Sequence, residues 1–300
     1  MNNPKLSVCV STYNQRPYIG ECLESILKQE VDFGYEIVVS DDCSTDGTRD
    51  VVERYARIYP DKVRNVSPSV NGGPFKNYIN VHSAALGEYV AHMDGDDVAL
   101  PGKLKIQVDF LDQNIGCNVV WHRMIFFDDT FETEHPLSNH EFVGKEIYSE
   151  EASLLGPMGP HSSTMYRRKY FDQNKFSGKC DDWLMAIFYM ENGYAFMIDG
   201  VLGKYRLRAQ SMSSAARANR TNRGLSTASQ LMAVRFNPSL ARFVATRALA
   251  NFLLDAIKFR PYCFLSFNVL LRCRAVPMFW RAPLIYRFFK WSKRPSIFNY

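Results

Sequence analysis

The sequence GEYVAHMDGDD, residues 87–97, decides the fold, because an apolar run there ends in a cluster of acidic residues. Residues 88–93 are short, apolar and bounded by polar residues, which is typical of a buried strand. Residues 6–11 (LSVCVS) and 35–40 (YEIVVS) have the same character. The sequence therefore predicts three buried strands, each of which runs into polar residues.

Helical patterns lie between and after these strands. Pro17 suits the first turn of a helix, and apolar residues recur behind it at helical spacing. Residues 48–59 and 75–86 follow the same pattern, and KLKIQVDFLDQ, residues 103–113, predicts a fourth helix before a strand at 117–127. Alternating strands and helices indicate an α/β fold with a parallel sheet and right-handed crossovers.

Ligands of such sheets bind outside the carboxyl ends of the strands. The unusual polar residues of this sequence fall there: Thr12 and Tyr13 follow the first strand, Asp41 and Asp42 the second, and DGDD, residues 94–97, the third. We therefore expect one crevice lined by all three strand ends.

The DGDD cluster holds three carboxylates within four residues. Unpaired, these groups would repel one another and raise each other's pKa. A divalent cation would relieve the repulsion, and Mg²⁺ and Mn²⁺ prefer carboxylate and phosphate oxygens. The alternative is a solvated acidic turn, but the position after an apolar strand and opposite a second acidic strand end favours a metal.

Four motifs in order, LSVCVSTYN, EIVVSDDCSTDGT, NGGPFKN and GEYVAHMDGDDVALPGKL, resemble the nucleotide-sugar half of family 2 glycosyltransferases. These are inverting enzymes of the GT-A fold, a Rossmann-like mixed and mostly parallel sheet flanked by helices. The resemblance covers about the first 110 residues. It implies sugar transfer from a nucleotide-sugar donor to a saccharide or lipid-linked saccharide, in bacterial polysaccharide or oligosaccharide synthesis.

The resemblance also implies roles for the donor-side residues. Asp42 matches the carboxylate that accepts a hydrogen bond from N3 of the base, which would favour uridine or thymidine. Tyr13, beside Thr12, matches a side chain near that base. Lys76, in NGGPFKN, falls where the family often has a basic residue near the diphosphate.

Asp94 and Asp96 match the family's DxD pair, which contacts the ribose and the metal respectively, and both are candidate ligands of Mn²⁺ or Mg²⁺. Asp182, in KCDDWLMAIFYMENGY, matches the catalytic base, although Asp at a helix start also serves as an N-cap. Arg208 stands where many relatives carry a histidine that assists the metal. Arginine does not bind metals, but it pairs with diphosphates.

Three further sites are weaker candidates. Residues 42–53 nearly match a calcium-binding loop, but EIVVS, which is strand-like, precedes them where a helix is required. His161 lies where relatives place acceptor-side residues, although a lone loop histidine is more often incidental. Strand alternation places His92 on the opposite face from its immediate neighbours, so we expect a structural role.

Charge divides the chain into two parts. Residues 1–214 carry 21 Lys and Arg against 30 Asp and Glu, whereas residues 215–300 carry 15 against 1. The formal charges are therefore about −9 and +14. We predict a GT-A domain over 1–214 and a basic helical extension over 215–300.

The extension contains a predicted amphipathic helix within residues 240–258, because Arg247, Asn251, Asp255 and Lys258 recur as one polar stripe. The opposite face is apolar and consists of Leu249, Phe252, Leu253, Ala256 and Ile257. Charges and Pro261 interrupt every apolar run, so no segment of about 20 apolar residues is long enough to span a bilayer.

Basic residues mixed with aromatic ones, as in FWRAPLIYRFFKWSKR at 279–294, suit the surface of an anionic membrane. The alternative is an extension that packs on the catalytic domain or forms a dimer. Binding of nucleic acid is disfavoured, since no recognised module accompanies the charge.

Seven scattered cysteines without a CxxC pair predict reduced core residues in a cytosolic chain, and the start lacks the pattern of a secretory signal. The expected location is the cytoplasm, at the inner face of the cell membrane. The rival functions are a sugar nucleotidyltransferase, which would normally carry a glycine-rich loop after the first strand, and a nucleotide-sugar or calcium-binding module without turnover.

Overall fold

The computed structural model describes residues 3–128, 130–134, 142–155, 159–175, 181–208, 220–257, 263–275 and 277–278. The strands are β1 Leu6–Thr12, β2 Tyr35–Asp41, β3 Val63–Asn65, β4 Tyr89–Asp94, β5 Val98–Ala99, β6 Cys117–Phe127, β7 Glu132–Glu134, β8 Glu146–Ile147, β9 Met165–Arg167 and β10 Tyr194–Arg206. The helices are α1 Arg16–Leu27, α2 Thr48–Ile58, α3 Pro74–Ser83, α4 Lys103–Gln113, α5 Ser149–Leu155, α6 Asp182–Tyr189, α7 Arg220–Phe236, α8 Ala241–Ile257 and α9 Cys263–Cys273.

The predicted strands and helices of the first 127 residues are confirmed. The helix at 103–113 and the strand at 117–127 have the predicted bounds, and the others differ by one to three residues at an end. β1, β2 and β4 are buried along nearly their whole length. Parallel strands covered on both faces are expected to be apolar at successive positions, which explains the continuous runs in the sequence.

The sheet has the strand order β3-β2-β1-β4-β9-β6-β10-β5, and β7 also pairs with β6. β1 is parallel to both β2 and β4, and β6 is parallel to β10. β9 lies antiparallel between β4 and β6. The sheet is therefore mixed, as predicted, and its parallel part places three carboxyl ends side by side.

The chain divides into two compact units. Unit 1 comprises Met1–Glu146, Gly159–Ser177 and Tyr189–Leu207, and unit 2 comprises Ile147–Met158, Gly178–Phe188 and Arg208–Tyr300. The sheet and α1–α4 belong to unit 1, and the described part of unit 2 is helical. The predicted boundary at residue 214 stays a prediction.

Unit 2 has its own core, which the C-terminal helices share with α6. Trp183 is buried, its Nε1 donates to the carbonyl of Ala152 at 2.8 Å, and the Arg247 guanidinium lies 5.0 Å above its ring. Phe188 makes an edge contact with Phe236. The helices after residue 220 therefore contribute to the packing around α6.

The predicted amphipathic helix is present as α8, but its polar stripe is not the exposed face. Asn251 and Asp255 are buried, whereas Leu253 is 49% exposed. Thr246 is also buried, and its hydroxyl accepts a hydrogen bond from the Met278 amide at 2.8 Å. The Met278 amide thus supplies a polar partner to this helix. A helical pattern alone does not say which face is covered. Lys258 and residues 279–294 lie outside the described residues.

Among the helices that the structure describes, none is long and apolar enough to cross a membrane. The cysteines at 9, 22, 43, 117, 263 and 273 are free thiols, and all but Cys43 are buried. Cys180 lies outside the described residues.

Candidate active site

Three strand ends form one edge of the sheet in unit 1. Thr12 is the register partner of Asp41, and Ser11 is the partner of Asp94. Beyond the strands, the amide of Asp42 donates to the carbonyl of Thr12 at 3.0 Å, and that of Gly95 donates to the carbonyl of Ser11 at 2.9 Å. The structure therefore brings together the polar segments that the sequence analysis placed in one crevice.

Asp42 holds the NGG loop in place. Its two carboxylate oxygens accept hydrogen bonds from the amides of Gly72 and Gly73, each at 2.8 Å, and its carbonyl accepts from Asn71 Nδ2 at 2.7 Å. Asp42 is only 3% exposed. Each carboxylate oxygen has a second lone pair, so the side chain can accept from a base while it holds the loop.

Gly73 has a φ of +81°, a backbone conformation that favours glycine. It is followed by α3, which carries Lys76 on its exposed side in the first turn. The Asp42 carboxylate therefore fixes the loop that contains the two glycines. Because this loop leads directly into α3, it also sets the position of Lys76.

Gly95 is required by close packing of the DGDD turn. A Cβ at this position would lie 2.8 Å from the Thr12 Cβ and 2.7 Å from Gln15 Oε1. Thr12 is buried and its hydroxyl donates to the same Gln15 oxygen at 2.7 Å. Tyr13, the next residue, is 48% exposed at the edge of the sheet. The turn can approach β1 only because residue 95 has no side chain.

The three carboxylates of DGDD lie in different environments. Asp97 is 1% exposed and accepts from the Arg206 amide at 2.9 Å. Burial and the neighbouring charges of Asp96 and Asp94 raise the pKa of Asp97 well above its usual value. Asp96 is 6% exposed, whereas the Asp94 side chain keeps 32% of its surface exposed. Asp94 is thus the most accessible carboxylate of the cluster.

Arg206, at the end of β10, is a buried residue that the sequence analysis did not identify. Its Nε donates to the carbonyl of Asp96 at 3.0 Å, and its guanidinium also pairs with Glu21. The guanidinium lies 4.3 Å from the Phe127 ring centroid and 4.7 Å from that of Tyr18. Arg206 therefore stabilises the DGDD turn through hydrogen bonds to Asp96 and Asp97. In the sequence, the one sign of this role is that Arg206 lies at the end of a strand, as the other site residues do, and two residues before Arg208.

Lys103 is a second missed residue, fully buried at the start of α4. Its ammonium lies 2.7 Å from His122 Nε2 and donates to the Ser162 carbonyl at 2.9 Å. Burial lowers the pKa of Lys103 to about 7, although the charge of Asp97 opposes this shift. An amphipathic pattern gives no sign that such a lysine points inward.

Two histidines converge on Asp94. His92 Nε2 lies 3.2 Å from Asp94 Oδ1, and His161 Nδ1 lies 3.6 Å from Asp94 Oδ2. Within the described residues, these three side chains are the one group of three or more His, Cys, Asp or Glu residues placed to hold a metal ion. Burial opposes ionisation of Asp94, but His161 and His92 outweigh it and hold the pKa of this carboxyl well below its usual range.

A chain of buried hydrogen bonds continues behind His92. His82 Nε2 lies 3.0 Å from His92 Nδ1, and His82 Nδ1 lies 2.6 Å from the Tyr166 hydroxyl. The pKa of His82 lies well below its usual value, mainly because the ring is buried and to a lesser extent because His92 and His161 are nearby. His92 is indeed buried, as predicted for a structural residue, but it also reaches Asp94, because residues two apart on a strand share a face.

A tight turn of the backbone brings His161 next to Asp94. Residues 156–158, which precede this region, lie outside the described residues. Gly159 packs against Trp121, where a Cβ would come within 2.3 Å of the ring. A short 3₁₀ turn, His161–Ser163, follows, and the Asp94 amide donates to Ser162 Oγ at 2.9 Å. The turn is thereby fixed to the end of β4.

Asp181 and Asp182 belong to unit 2, where α6 begins. Asp181 Oδ1 accepts from the Leu184 amide at 3.1 Å, and its own amide donates to Ser229 Oγ at 3.1 Å. Burial raises the pKa of Asp181 to about 6. Asp182 is exposed in the first turn. The N-cap role that the sequence left open therefore falls to Asp181.

Arg208 also belongs to unit 2. The calcium-loop alternative finds no support in the described residues, because two of its acidic side chains, those of Asp42 and Asp46, have other partners. Asp42 holds the NGG loop, and Asp46 accepts from the amides of Arg16 and Thr48 at 3.0 and 2.9 Å. β2 precedes the segment, as expected.

The sequence profile described as glycosyl transferase family 2 matches residues 7–174. Because this match covers more than half of the chain, the chain belongs to glycosyl transferase family 2, and the resemblance read from the motifs is confirmed.

Particular relatives show how far the likeness extends. An uncharacterised protein of Mycobacterium tuberculosis is 31% identical over 219 residues, which are 72% of this chain and 62% of that protein. The chain thus spans less than two thirds of that relative.

The structure of residues 1–349 of Staphylococcus aureus TarS in complex with UDP-GlcNAc is similar with a TM-score of 0.69 and 21% identity, over 96% of this chain and 88% of that one. TarS is named as a poly(ribitol-phosphate) β-N-acetylglucosaminyltransferase. A mannosyltransferase of Pyrobaculum calidifontis in complex with GDP-Man and Mn²⁺ has a TM-score of 0.55 at 19% identity, over 98% and 82% of the two chains. These likenesses confirm the predicted GT-A fold.

Proposed function

We propose that this chain is an inverting glycosyltransferase that moves a sugar from a nucleotide-sugar donor, a UDP-sugar, to a saccharide or lipid-linked saccharide acceptor. Membership of family 2 and the GT-A fold support the reaction class. The observation that carries the proposal is the convergence of Thr12, Asp42 and Asp94 at one edge of the sheet in unit 1.

The donor is proposed to bind along this edge. Asp42 would accept a hydrogen bond from N3–H of uracil, beside Tyr13, and Asp94 would contact the ribose. Lys76 and Arg208 would pair with the diphosphate, since lysine and arginine are the side chains that recognise phosphate groups. The buried position of Asp42, with both oxygens oriented by backbone amides, supports its role in reading the base.

A divalent metal, Mn²⁺ or Mg²⁺, is proposed at the DxD pair. Asp94 fits this role, since its carboxylate is partly exposed and its pKa is lowered. Asp96 is the second carboxylate of the pair, although it is more deeply buried. A metal held there would neutralise charge on the departing nucleoside diphosphate. The Mn²⁺ in the complex of the Pyrobaculum mannosyltransferase supports this assignment by likeness of fold.

Asp182 is proposed as the general base, which takes the proton from the acceptor hydroxyl as that oxygen attacks the anomeric carbon. A single displacement of this kind inverts the configuration. The exposure of Asp182 at the start of α6 supports this role, because a base must reach the acceptor hydroxyl. Asp182 is not needed to cap the helix, since Asp181 already does so.

The C-terminal helices are proposed to contact an anionic membrane at the cytoplasmic face. Four large apolar side chains of α8 and α9 are exposed: Leu253 by 49%, Phe264 by 71%, Phe267 by 39% and Leu271 by 62%. They occur in a part of the chain with a formal charge of about +14. Apolar anchors among basic residues suit a lipid interface, where lipid-linked acceptors are found.

A panel of UDP-, TDP- and GDP-sugars, assayed for release of free nucleotide with and without Mn²⁺, tests the reaction. We expect a UDP-sugar to be the best donor and EDTA to reduce its turnover. Release of no nucleotide from any donor, with acceptor saccharides present, would contradict the proposal. A preference for GDP-sugars would contradict the role of Asp42.

A further inference from the structure

The histidines beside Asp94 change the chemistry expected of a carboxylate metal site. Their ring nitrogens and the Asp94 carboxylate all lie within 4.8 Å of one another, and two of the separations are 3.2 and 3.6 Å. Ligand atoms that share one metal at bond lengths of about 2.0–2.2 Å lie about 3–3.5 Å apart. Only a small movement is needed to bring all three groups onto one ion.

We propose that His92, Asp94 and His161 form a binding site for a divalent transition metal such as Zn²⁺, Co²⁺ or Mn²⁺, in preference to Mg²⁺. Imidazole nitrogen is a good ligand for transition metals, whereas Mg²⁺ prefers oxygen ligands and retains its waters. This inference deepens the proposed function and rests on it for the metal's chemical role. It adds two ligands that the DxD pair does not contain.

Accessibility favours Asp94 over Asp96 as the central ligand. The Asp94 and His161 side chains keep 32% and 22% of their surface exposed, whereas Asp96 is 6% exposed and His92 1%. A site with a closed inner side and an open outer side leaves coordination positions for water or phosphate oxygens, which is the arrangement of catalytic metal sites.

The hydrogen-bond chain behind His92 suits a metal ligand. Metal-binding histidines generally donate their second ring N–H to a fixed acceptor, which sets the tautomer. His92 Nδ1 faces His82 Nε2 at 3.0 Å, and His82 Nδ1 faces the Tyr166 hydroxyl at 2.6 Å. If His92 donates from Nδ1 to His82, and His82 donates to Tyr166, the Nε2 lone pair of His92 points to the Asp94 side and is available to a metal.

Without a metal the same chain runs in the opposite direction. In the metal-free protein we expect Tyr166 to donate to His82, His82 to donate to His92, and His92 Nε2–H to donate to Asp94 Oδ1. Both directions use the same number of protons, so the metal replaces one hydrogen bond and reverses two tautomers. A hydrogen-bond network with only a structural role is not expected to change tautomers when a metal is added. A change of tautomer on metal addition therefore distinguishes a metal site from a structural network.

Metal titrations of the full-length protein, without nucleotide, test this site. Co²⁺ is expected to give visible absorption bands of a histidine-bound ion, and Zn²⁺ is expected to displace it, whereas Mg²⁺ in excess does not. Outer partners of metal-binding histidines contribute about 10–100-fold to affinity, so loss of a ligand should weaken Zn²⁺ binding by at least about 100-fold. We therefore expect that loss for His161→Gln and for Asp94→Asn.

Asp96→Asn is the matched control, because it removes a carboxylate from the same turn and leaves the three proposed ligands in place. It should keep the Co²⁺ bands of a histidine-bound ion and weaken Zn²⁺ binding less than His161→Gln does. The proposal is overturned if Asp96→Asn abolishes them while His161→Gln retains them, since the metal would then be held by the DxD carboxylates without the histidine.

Histidine ¹⁵N NMR on the unmutated protein guards against variants that do not fold. Saturation with Zn²⁺ should shift the ring nitrogens of His92 and His161 and convert His82 from its Nε2–H to its Nδ1–H tautomer, while His122 serves as an internal control. Unchanged spectra would refute the site. Because nucleotide is absent throughout, a failure of sugar transfer leaves this result intact, and a failure of metal binding leaves UDP binding to be measured separately.

Discussion

The two units position their carboxylates by different means. At the sheet edge of unit 1, the amides of a loop fix Asp42 and two histidines lie against Asp94, so each carboxylate is held in a defined orientation. At the start of α6 in unit 2, Asp181 caps the helix and Asp182 remains exposed. Recognition of a donor needs hydrogen-bond acceptors in fixed positions, whereas a general base must be accessible to the acceptor hydroxyl. The difference supports donor recognition in unit 1 and proton removal in unit 2.

The largest effect that separates the two roles is expected for Asp182→Asn. This change removes a proton acceptor without altering shape, and general-base catalysis contributes about 10²–10⁴-fold to a rate. We expect the rate of transfer to fall by that amount while calorimetry shows unchanged UDP affinity. Asp181→Asn is the matched control, because Asn also caps helices well and activity should be retained. Retained turnover in Asp182→Asn would assign the base to another residue.

The rigidity of the unit 1 edge is tested by Gly95→Ala. The added methyl meets Thr12 and Gln15 at 2.7–2.8 Å, and overpacking of this kind costs about 1–3 kcal/mol in the free energy of unfolding. UDP affinity should fall as well, since the turn carries Asp94. Gly20→Ala is the control: its Cβ would meet only the Tyr55 hydroxyl at 3.7 Å, and alanine is the better helix former. Urea denaturation compares the two. Equal stabilities would show that the turn adapts.

The apolar surface of unit 2 is tested by the double substitution Phe264→Ser and Leu271→Ser. Each exposed side chain that enters a lipid interface contributes up to about 1.5–3 kcal/mol, so co-sedimentation with anionic vesicles should weaken roughly tenfold or more. Added salt should weaken binding of the parent protein too, because screening shortens the reach of basic residues. Ile115→Ser, which changes an 84% exposed residue of unit 1, is the control. Unchanged sedimentation of the double variant would reject the membrane contact.

The smallest expected effect concerns pH. The folded protein binds a proton at Asp181 with a pKa of about 6, against 3.8 for an ordinary aspartate. Between these values the folded state holds more protons than the unfolded chain, so this group makes the protein more stable as pH falls from about 6 to 4. Asp181→Asn should remove that slope. Denaturant titrations at pH 4.5 and 7 measure it, and identical slopes in both proteins would contradict the raised pKa.

The sequence was informative where structure depends on neighbouring residues. The four predicted strands and four predicted helices up to residue 127, the parallel order of the first three strands and the crevice at Thr12, Asp42 and Asp94 follow from local patterns, whereas the short strands β3 and β5 were not predicted. His161, Lys103 and Arg206 did not follow, because each meets its partners across long sequence separations. The buried face of α8 was also not predictable, since amphipathic spacing does not identify the packing partner.

Base selectivity tests the central claim, donor recognition at the edge of unit 1, most directly. Uracil offers N3–H to the Asp42 carboxylate, whereas N3 of cytosine is an acceptor and would face the same negative oxygens. Hydrogen bonds to charged groups contribute about 1.5–3 kcal/mol, so calorimetry should show UDP binding roughly 10–100-fold tighter than CDP. Equal affinities for UDP and CDP, or tighter binding of CDP, would contradict the account.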